Sequence, residues 1–198
     1  MKLYFFDQAI VACLLFSVSA FAQADPEREL EDRMEIVYNL AQSGKADAQD
    51  AIRQLASQTS PEIPSAQFRL GQLLYQPSAS SGAVKNESEA MELWAKASRN
   101  GYGRASFALG NVYTKGESGV PTDVKLGLQF YELAIEQGWK NANSRTRLAR
   151  ALLTRSRASD CDRIRDHLTM AIAETSASAS SEASRILTGE DLQKLCPM

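Results

Sequence analysis

Only one of the 198 residues is histidine and only three are cysteine. That leaves little material for a zinc site, a Cys–His dyad or a Ser–His–Asp triad. Neither charge sign is in excess: 22 Lys plus Arg face 24 Asp plus Glu, a net charge near −2. This balance excludes a strongly basic nucleic-acid module. No stretch alternates apolar and polar residues as a half-buried strand does. The one long hydrophobic run, residues 9–22 (AIVACLLFSVSAFA), is too short for a comfortable membrane span. What is present is ordinary for a globular chain, with 44% apolar and 23% charged residues and enough length to bury a sizeable core.

The apolar run has the layout of a secretory leader. Lys2 and the free amine precede it, and Ala20-Phe21-Ala22 ends it in the small-x-small pattern that signal peptidase accepts. Cleavage after Ala22 implies a periplasmic or secreted product with no stable membrane span. The alternative is an uncleaved anchor or a buried N-terminal helix. A lipoprotein attachment at Cys13 is disfavoured, because mostly apolar residues follow it instead of a polar tether. Cleavage removes Cys13 and leaves Cys161 and Cys196. In an oxidising compartment an even pair predicts one disulfide, against the alternative of two buried thiols. A bridge closing residues 161–196 contributes roughly 4 kcal/mol in the chain-entropy model.

The rest reads as helices and turns, with apolar residues recurring at three and four. Asp25-Pro26 predicts a start for a helix over 26–43, closed by Gly44, and a second helix follows over 46–58. Ser60-Pro61 breaks the chain before a helix running to 76, and 77–85 (PSASSGAVK) is a loop. Asn86 with Glu89 three residues on predicts a capping box and a helix ending before Gly101. Further helices fit 103–115, 123–137, 141–156 and 160–174, with Gly116 and Gly138 as stops, and one short final helix fits 180–194.

Two of these helical pairs repeat. Residues 66–74 (AQFRLGQLL) parallel 105–113 (ASFALGNVY), and 89–102 (EAMELWAKASRNGY) parallel 126–139 (LGLQFYELAIEQGW). Gly44, Gly101 and Gly138 are each followed four residues later by Ala. Gly71 and Gly110 occupy one repeat position in mid-helix, where each costs about 1 kcal/mol relative to Ala. Their recurrence predicts a close helix–helix contact that a side chain would block. Trp94 and Tyr131 lie three residues before Ala97 and Ala134, a large and a small residue on one face, set to interlock with a neighbouring helix. One such hairpin cannot bury both faces, so the hairpins must stack.

At these residues the chain resembles the Sel-1-like repeat family, relatives of tetratricopeptide repeats. Residues 105–138 carry the pattern best: Leu109-Gly110, Tyr113, Gly116, Gly119-Val120, Asp123, Phe130-Tyr131, Ala134 and Gly138. Gly127 replaces the family's usual Ala, which is expected to weaken that contact. Residues 66–101 match with Leu74 in place of Tyr and Asn86 in place of Asp, and the match decays beyond 142. The resemblance implies an all-α solenoid of stacked helix-turn-helix repeats. The expected division is a leader over 1–22, capping helices over 23–60, the solenoid over 61–174 and a C-terminal cap over 175–198.

No constellation for catalysis, cofactor binding or metal binding emerges. His167 borders the stripe formed by Ile164, Leu168 and Ile172 and reads as a boundary histidine bonded to a neighbour, with Arg163 disfavouring its charged form. Cys161 between Asp160 and Asp162 sits among acids, which raise a thiol pKa, the wrong direction for a nucleophile. The run Arg145, Arg147, Arg150, Arg155 and Arg157 is the largest local positive charge, either a solvated face or a contact for an acidic partner. On the helix at 103–115, Arg104, Phe107, Asn111 and Thr114 share the face beside the core; equivalents are Ser65, Phe68, Gln72 and Tyr75, then Asn143, Thr146, Arg150 and Leu153. In the resembling families the first helix of each repeat lines a concave groove. This implies a protein-binding groove using Phe68, Gln72, Arg104, Phe107, Asn111 and Arg150. The two Phe serve equally well as aromatic anchors or as core between hairpins. The expected function is a non-enzymatic scaffold that docks another protein, in envelope-complex assembly or as a secreted factor acting on a host or competitor cell.

Overall fold

The structure is a computed structural model that describes residues 26–58, 63–117, 119–174 and 177–197. The expected leader lies outside the described residues. Among the described residues ten α-helices run in order: α1 (Pro26–Gln42), α2 (Ala46–Ser57), α3 (Pro64–Tyr75), α4 (Glu87–Arg99), α5 (Gly103–Lys115), α6 (Val124–Glu136), α7 (Ala142–Arg155), α8 (Cys161–Ala173), α9 (Ala177–Leu187) and α10 (Glu190–Leu195). A 3₁₀ turn, Ala158–Asp160, leads into α8. No strand occurs among the described residues, and the helices pack in consecutive pairs, as in an α/α solenoid. Backbone proximity groups them into two units, one ending at Asn100 and the other starting at Gly101.

In the first unit α3 packs against α1, α2 and α4. Its buried side chains include Ala66, Leu70, Leu73 and Leu74, which share the core with the buried Met34 and Val37 of α1 and Ile52 of α2. A charged residue is buried with them. Arg69, 2% exposed, bonds Glu35 and donates to Gln72 Oε1 at 2.8 Å, with its guanidinium 5.1 Å from the Tyr38 ring centre. A buried guanidinium needs such partners, because taking the charge from water is costly without them.

The α3–α4 and α5–α6 hairpins are built alike. In each, the residue that caps the second helix sends its backbone N–H back to the last turn of the first: Asn86 to Leu74 O at 2.9 Å, Asp123 to Tyr113 O at 2.8 Å. Their side chains cap the helix in turn, Asn86 Oδ1 accepting from Glu89 N and Asp123 Oδ1 from Leu126 N. The box at Asn86 differs from expectation in one bond. Its backbone N–H is committed to Leu74, so the Glu89 carboxylate instead accepts from Asn86 Nδ2 at 2.9 Å.

The mid-helix glycines are where the hairpins close. A Cβ on Gly71 would stand 2.5 Å from Trp94 Nε1, and one on Gly110 would stand 2.5 Å from Tyr131 Cδ1. The glycines and the aromatics are therefore two halves of one contact in each repeat. Gly127 corrects the expectation attached to it. A Cβ there would collide with Thr114 Cγ2, so glycine is the residue that fits beside Thr114 and the contact is not weakened.

In the second unit α7, α8 and α9 pack around Leu148, Leu152, Ile164, Leu168, Ala183 and Leu192. Cys161 and Cys196 form a disulfide with Cα atoms 5.6 Å apart, joining the start of α8 to the end of α10. Arg165 Nη2 donates to Cys196 O at 2.6 Å beside it. The single final helix expected over 180–194 is two helices. The chain leaves α9 after Leu187, and Gly189 adopts an extended backbone (φ −74°, ψ 150°) as the N-cap of α10. Gly189 also approaches α9 closely, since a Cβ would stand 3.0 Å from Arg185 O.

Candidate partner-binding face

The polar face runs along the first helix of each repeat, and its residues differ in how much they offer. In the first unit Phe68 is 5% exposed, with its ring 6.4 Å from that of Trp94, whose Nε1 donates to Phe68 O at 3.1 Å. Of its two readings, core packing is the one this burial supports. Gln72, one turn on, is half-buried and holds Arg69. In the second unit Phe107 is half-buried, its ring 5.7 Å from that of Tyr131. Asn111 bonds on both sides, donating to Phe107 O at 3.1 Å and accepting from Tyr131 Oη at 3.0 Å. Arg104 lies over the Trp139 ring, 5.0 Å from its centre. These side chains are oriented by neighbours, a precondition for presenting a defined surface.

Burial dominates the electrostatics of Tyr131. It pushes the phenol pKa above the ordinary tyrosine value against the opposing influences of the Thr114 hydroxyl, Arg147 and Arg150. The phenol is thus a neutral hydrogen-bonding group, engaged by Asn111 and, at 3.1 Å, by Thr114 Oγ1.

The arginine run on α7 is neither a uniformly solvated face nor a free cationic patch. Arg145 Nε donates to Glu174 at 3.2 Å, Arg150 pairs with Glu182 of α9, and Arg155 holds both carboxylate oxygens of the buried Asp160 at 2.7 Å. Arg163 of α8 adds a pair with Glu132 of α6 at 2.6 Å. Three of the run therefore bind carboxylates within the same unit. Arg157 is exposed. Arg147 differs again: its Nε is buried with no hydrogen-bond partner. It lines a cleft of about 240 Å³ between the α5–α6 hairpin and α7, together with Thr114, Lys115, Val124, Tyr131, Arg150, Ala151 and Thr154. The cleft joins two residues of the expected face, Thr114 and Arg150, with two that sequence reasoning left out of it, Lys115 and Arg147. The repeat register gave no signal for either.

His167 is half-buried, and its Nδ1 has no hydrogen-bond partner, so the expected bond to a neighbour is not made there. Burial lowers its pKa, and Arg145 and Arg163 lower it further. Among the described residues no three His, Cys, Asp or Glu side chains converge as a metal site would require. No described helix is long and apolar enough to cross a membrane.

The Sel1 repeat family matches residues 64–102 and 103–139. Among solved structures, the crystal structure of a Sel1 repeat protein from Oxalobacter formigenes superposes with a TM-score of 0.60 at 19% identity, over 92% of this chain and 68% of the other. Sel1 repeats generally mediate protein–protein interaction, and proteins built from them are typically non-catalytic scaffolds. The α3–α4 and α5–α6 hairpins, closed by Gly71 against Trp94 and Gly110 against Tyr131, are the two segments of this chain that match the Sel1 repeat model.

Proposed function

We propose that this protein is an exported, non-catalytic scaffold of the bacterial envelope that docks a segment of another protein on the first-helix faces of its repeats. The carrying observation is the tethered polar face of α5, where Arg104 and Asn111 are half-buried and fixed by Trp139, Phe107 and Tyr131. Side chains already ordered lose less entropy when a partner arrives. Export is supported by the Cys161–Cys196 bridge, which suits an oxidising compartment, and by the apolar run over 9–22.

Crosslinking in intact cells, followed by fractionation into periplasm and culture medium and by mass spectrometry, tests this reading. A discrete partner should be captured by the wild type and by His167→Ala, and lost with Arg104→Glu. Capture from the periplasm supports envelope assembly, whereas a partner met only after release into the medium favours action on a host or competitor cell. A chain retained in the cytoplasm, or capture unaffected by Arg104→Glu, refutes the proposal.

A further inference from the structure

The cleft between the α5–α6 hairpin and α7 has a charge left over. Three of its lining residues are cationic, Lys115, Arg147 and Arg150, and none is acidic. Two of the cations are matched from outside the cleft, Lys115 by Glu117 at 3.1 Å and Arg150 by Glu182. Arg147 forms no ion pair among the described residues, and its buried Nε has no hydrogen-bond partner. The surplus is therefore one positive charge, carried by a guanidinium whose solvation is already partly stripped. Val124, Ala151 and the Tyr131 ring supply apolar wall beside it. The Tyr131 hydroxyl is committed to Asn111 and Thr114, so recognition of an anion falls to the arginines.

We infer that this cleft receives one carboxylate side chain, a Glu or Asp from an acidic segment of the docked partner, with Arg147 as its principal ligand. The inference rests on the scaffold reading above and names the chemistry of its partner. Charge complementarity selects the occupant. One unmatched guanidinium neutralises one monoanion, and a planar carboxylate accepts its paired N–H groups in parallel. The aliphatic stem of a glutamate matches the Val124 and Ala151 wall. A dianionic phosphate would leave negative charge in a cleft that holds only one uncompensated cation.

Titration of the oxidised, full-length protein with acetyl-hexaglutamate-amide, read by amide NMR shifts, tests this. Thr114, Lys115, Ala151 and Thr154 should shift, and affinity should fall several-fold between 10 and about 150 mM salt. Arg147→Gln should weaken binding about tenfold, while Arg157→Gln, an exposed arginine beyond the cleft, should leave it unchanged. Thr154→Glu should cause a similar loss by placing a carboxylate at the rim, without disturbing the buried part of Arg147. Acetyl-hexaglutamine-amide should not bind. The inference is overturned if hexaglutamate fails to bind at millimolar concentration, or if a well-folded Arg147→Gln protein binds it like wild type. It is overturned equally if Arg157→Gln matters as much as Arg147→Gln, or if inorganic phosphate competes more tightly than hexaglutamate. Acetyl-hexaglutamine with a free C-terminus, binding as well as hexaglutamate-amide, would overturn the side-chain source in favour of a chain terminus. A partner captured in cells equally by wild type and Arg147→Gln would leave the scaffold standing and remove the cleft from it. Hexaglutamate bound at the cleft with no partner captured in cells would remove the scaffold reading instead.

Discussion

Replacing Gly110 with alanine adds one methyl group, and the structure sets two effects against each other. In an open helix the change is favourable by about 1 kcal/mol, because alanine loses less backbone entropy. At Gly110 the new Cβ would stand 2.5 Å from Tyr131 Cδ1, 2.7 Å from Cε1 and 3.1 Å from Cγ. Relief requires the ring to move by roughly an ångström, and the ring is not free to move. Tyr131 is 1% exposed, stands beside Phe107 and is bonded at its hydroxyl to Asn111 and Thr114. Overpacking costs about 1–3 kcal/mol. Loss of a phenol hydrogen bond adds about 1 kcal/mol. The helix gain is outweighed, and the net loss is about 1–3 kcal/mol. At about 2–4 °C per kcal/mol for a chain of this size, the melting midpoint should fall by about 2–12 °C. Circular dichroism at 222 nm reads the midpoint. Gly110→Ala combined with Tyr131→Leu supplies the control: with the ring gone, the added methyl should cost less than in the wild type, or stabilise. A Gly110→Ala protein that melts at or above the wild-type midpoint would refute the close contact. Additive effects in the double mutant would refute the ring as its cause.

Three further outcomes follow from the second unit. Reduction of the Cys161–Cys196 bridge should raise the mass of the protein by about 2 Da, and protease should then cut within 175–195 much faster, because α10 and its C-cap bury little besides Leu192 and Cys196. Burial, Arg145 and Arg163 lower the His167 pKa below 6.5, so the unfolded chain binds its proton first as pH falls. Stability from this group is thus full above 6.5 and declines as pH drops from 6.5 towards the lowered value. Chemical denaturation from pH 7.5 to 5.5 should show a shallower decline for His167→Gln than for wild type. Asp160→Ala removes a buried carboxylate, leaves the part-exposed Arg155 guanidinium without its two-oxygen partner and should cost about 1–3 kcal/mol by the same denaturation assay.

Helix existence and most helix ends were legible because they depend on residues close in sequence. Pro26, Asn86 with Glu89, and Gly116 with its φ of 70° act on their own turns. The break between α9 and α10 is less legible for a related reason. Gly189 interrupts the run of helix formers, but the alanine-rich composition up to Leu187 favours a helix that continues through it. Ser156, in a left-handed conformation at φ 54°, closes α7 where no glycine advertised a stop.

Interactions between helices were legible only where the repeat echoed them. Gly71 and Gly110 were marked as contact sites by sharing one register, and Trp94 and Tyr131 by sharing another. Spacing along a helix assigns a residue to a face; it does not say which neighbour that face meets. The pairing of each glycine with its own hairpin's aromatic needed the structure, as did the fit of Gly127 to Thr114. The arginines of α7 had no echo at all. Their carboxylates, Glu174 and Glu182, lie 29 and 32 residues away in segments outside the two repeats. A charge run reads as solvent-facing because partners so distant leave no periodic trace. Once those pairs are set aside, Arg147 is distinguished from Arg145, Arg150 and Arg155 by having no pair and from the exposed Arg157 by its buried, unpartnered Nε, and that difference is what makes a cleft of modest volume a place to look for a ligand. The ion pairs also order its surroundings: Glu182 of α9 holds Arg150 at the wall of the cleft. The residues that proved structural are therefore the ones that preorganise the residue proposed to bind.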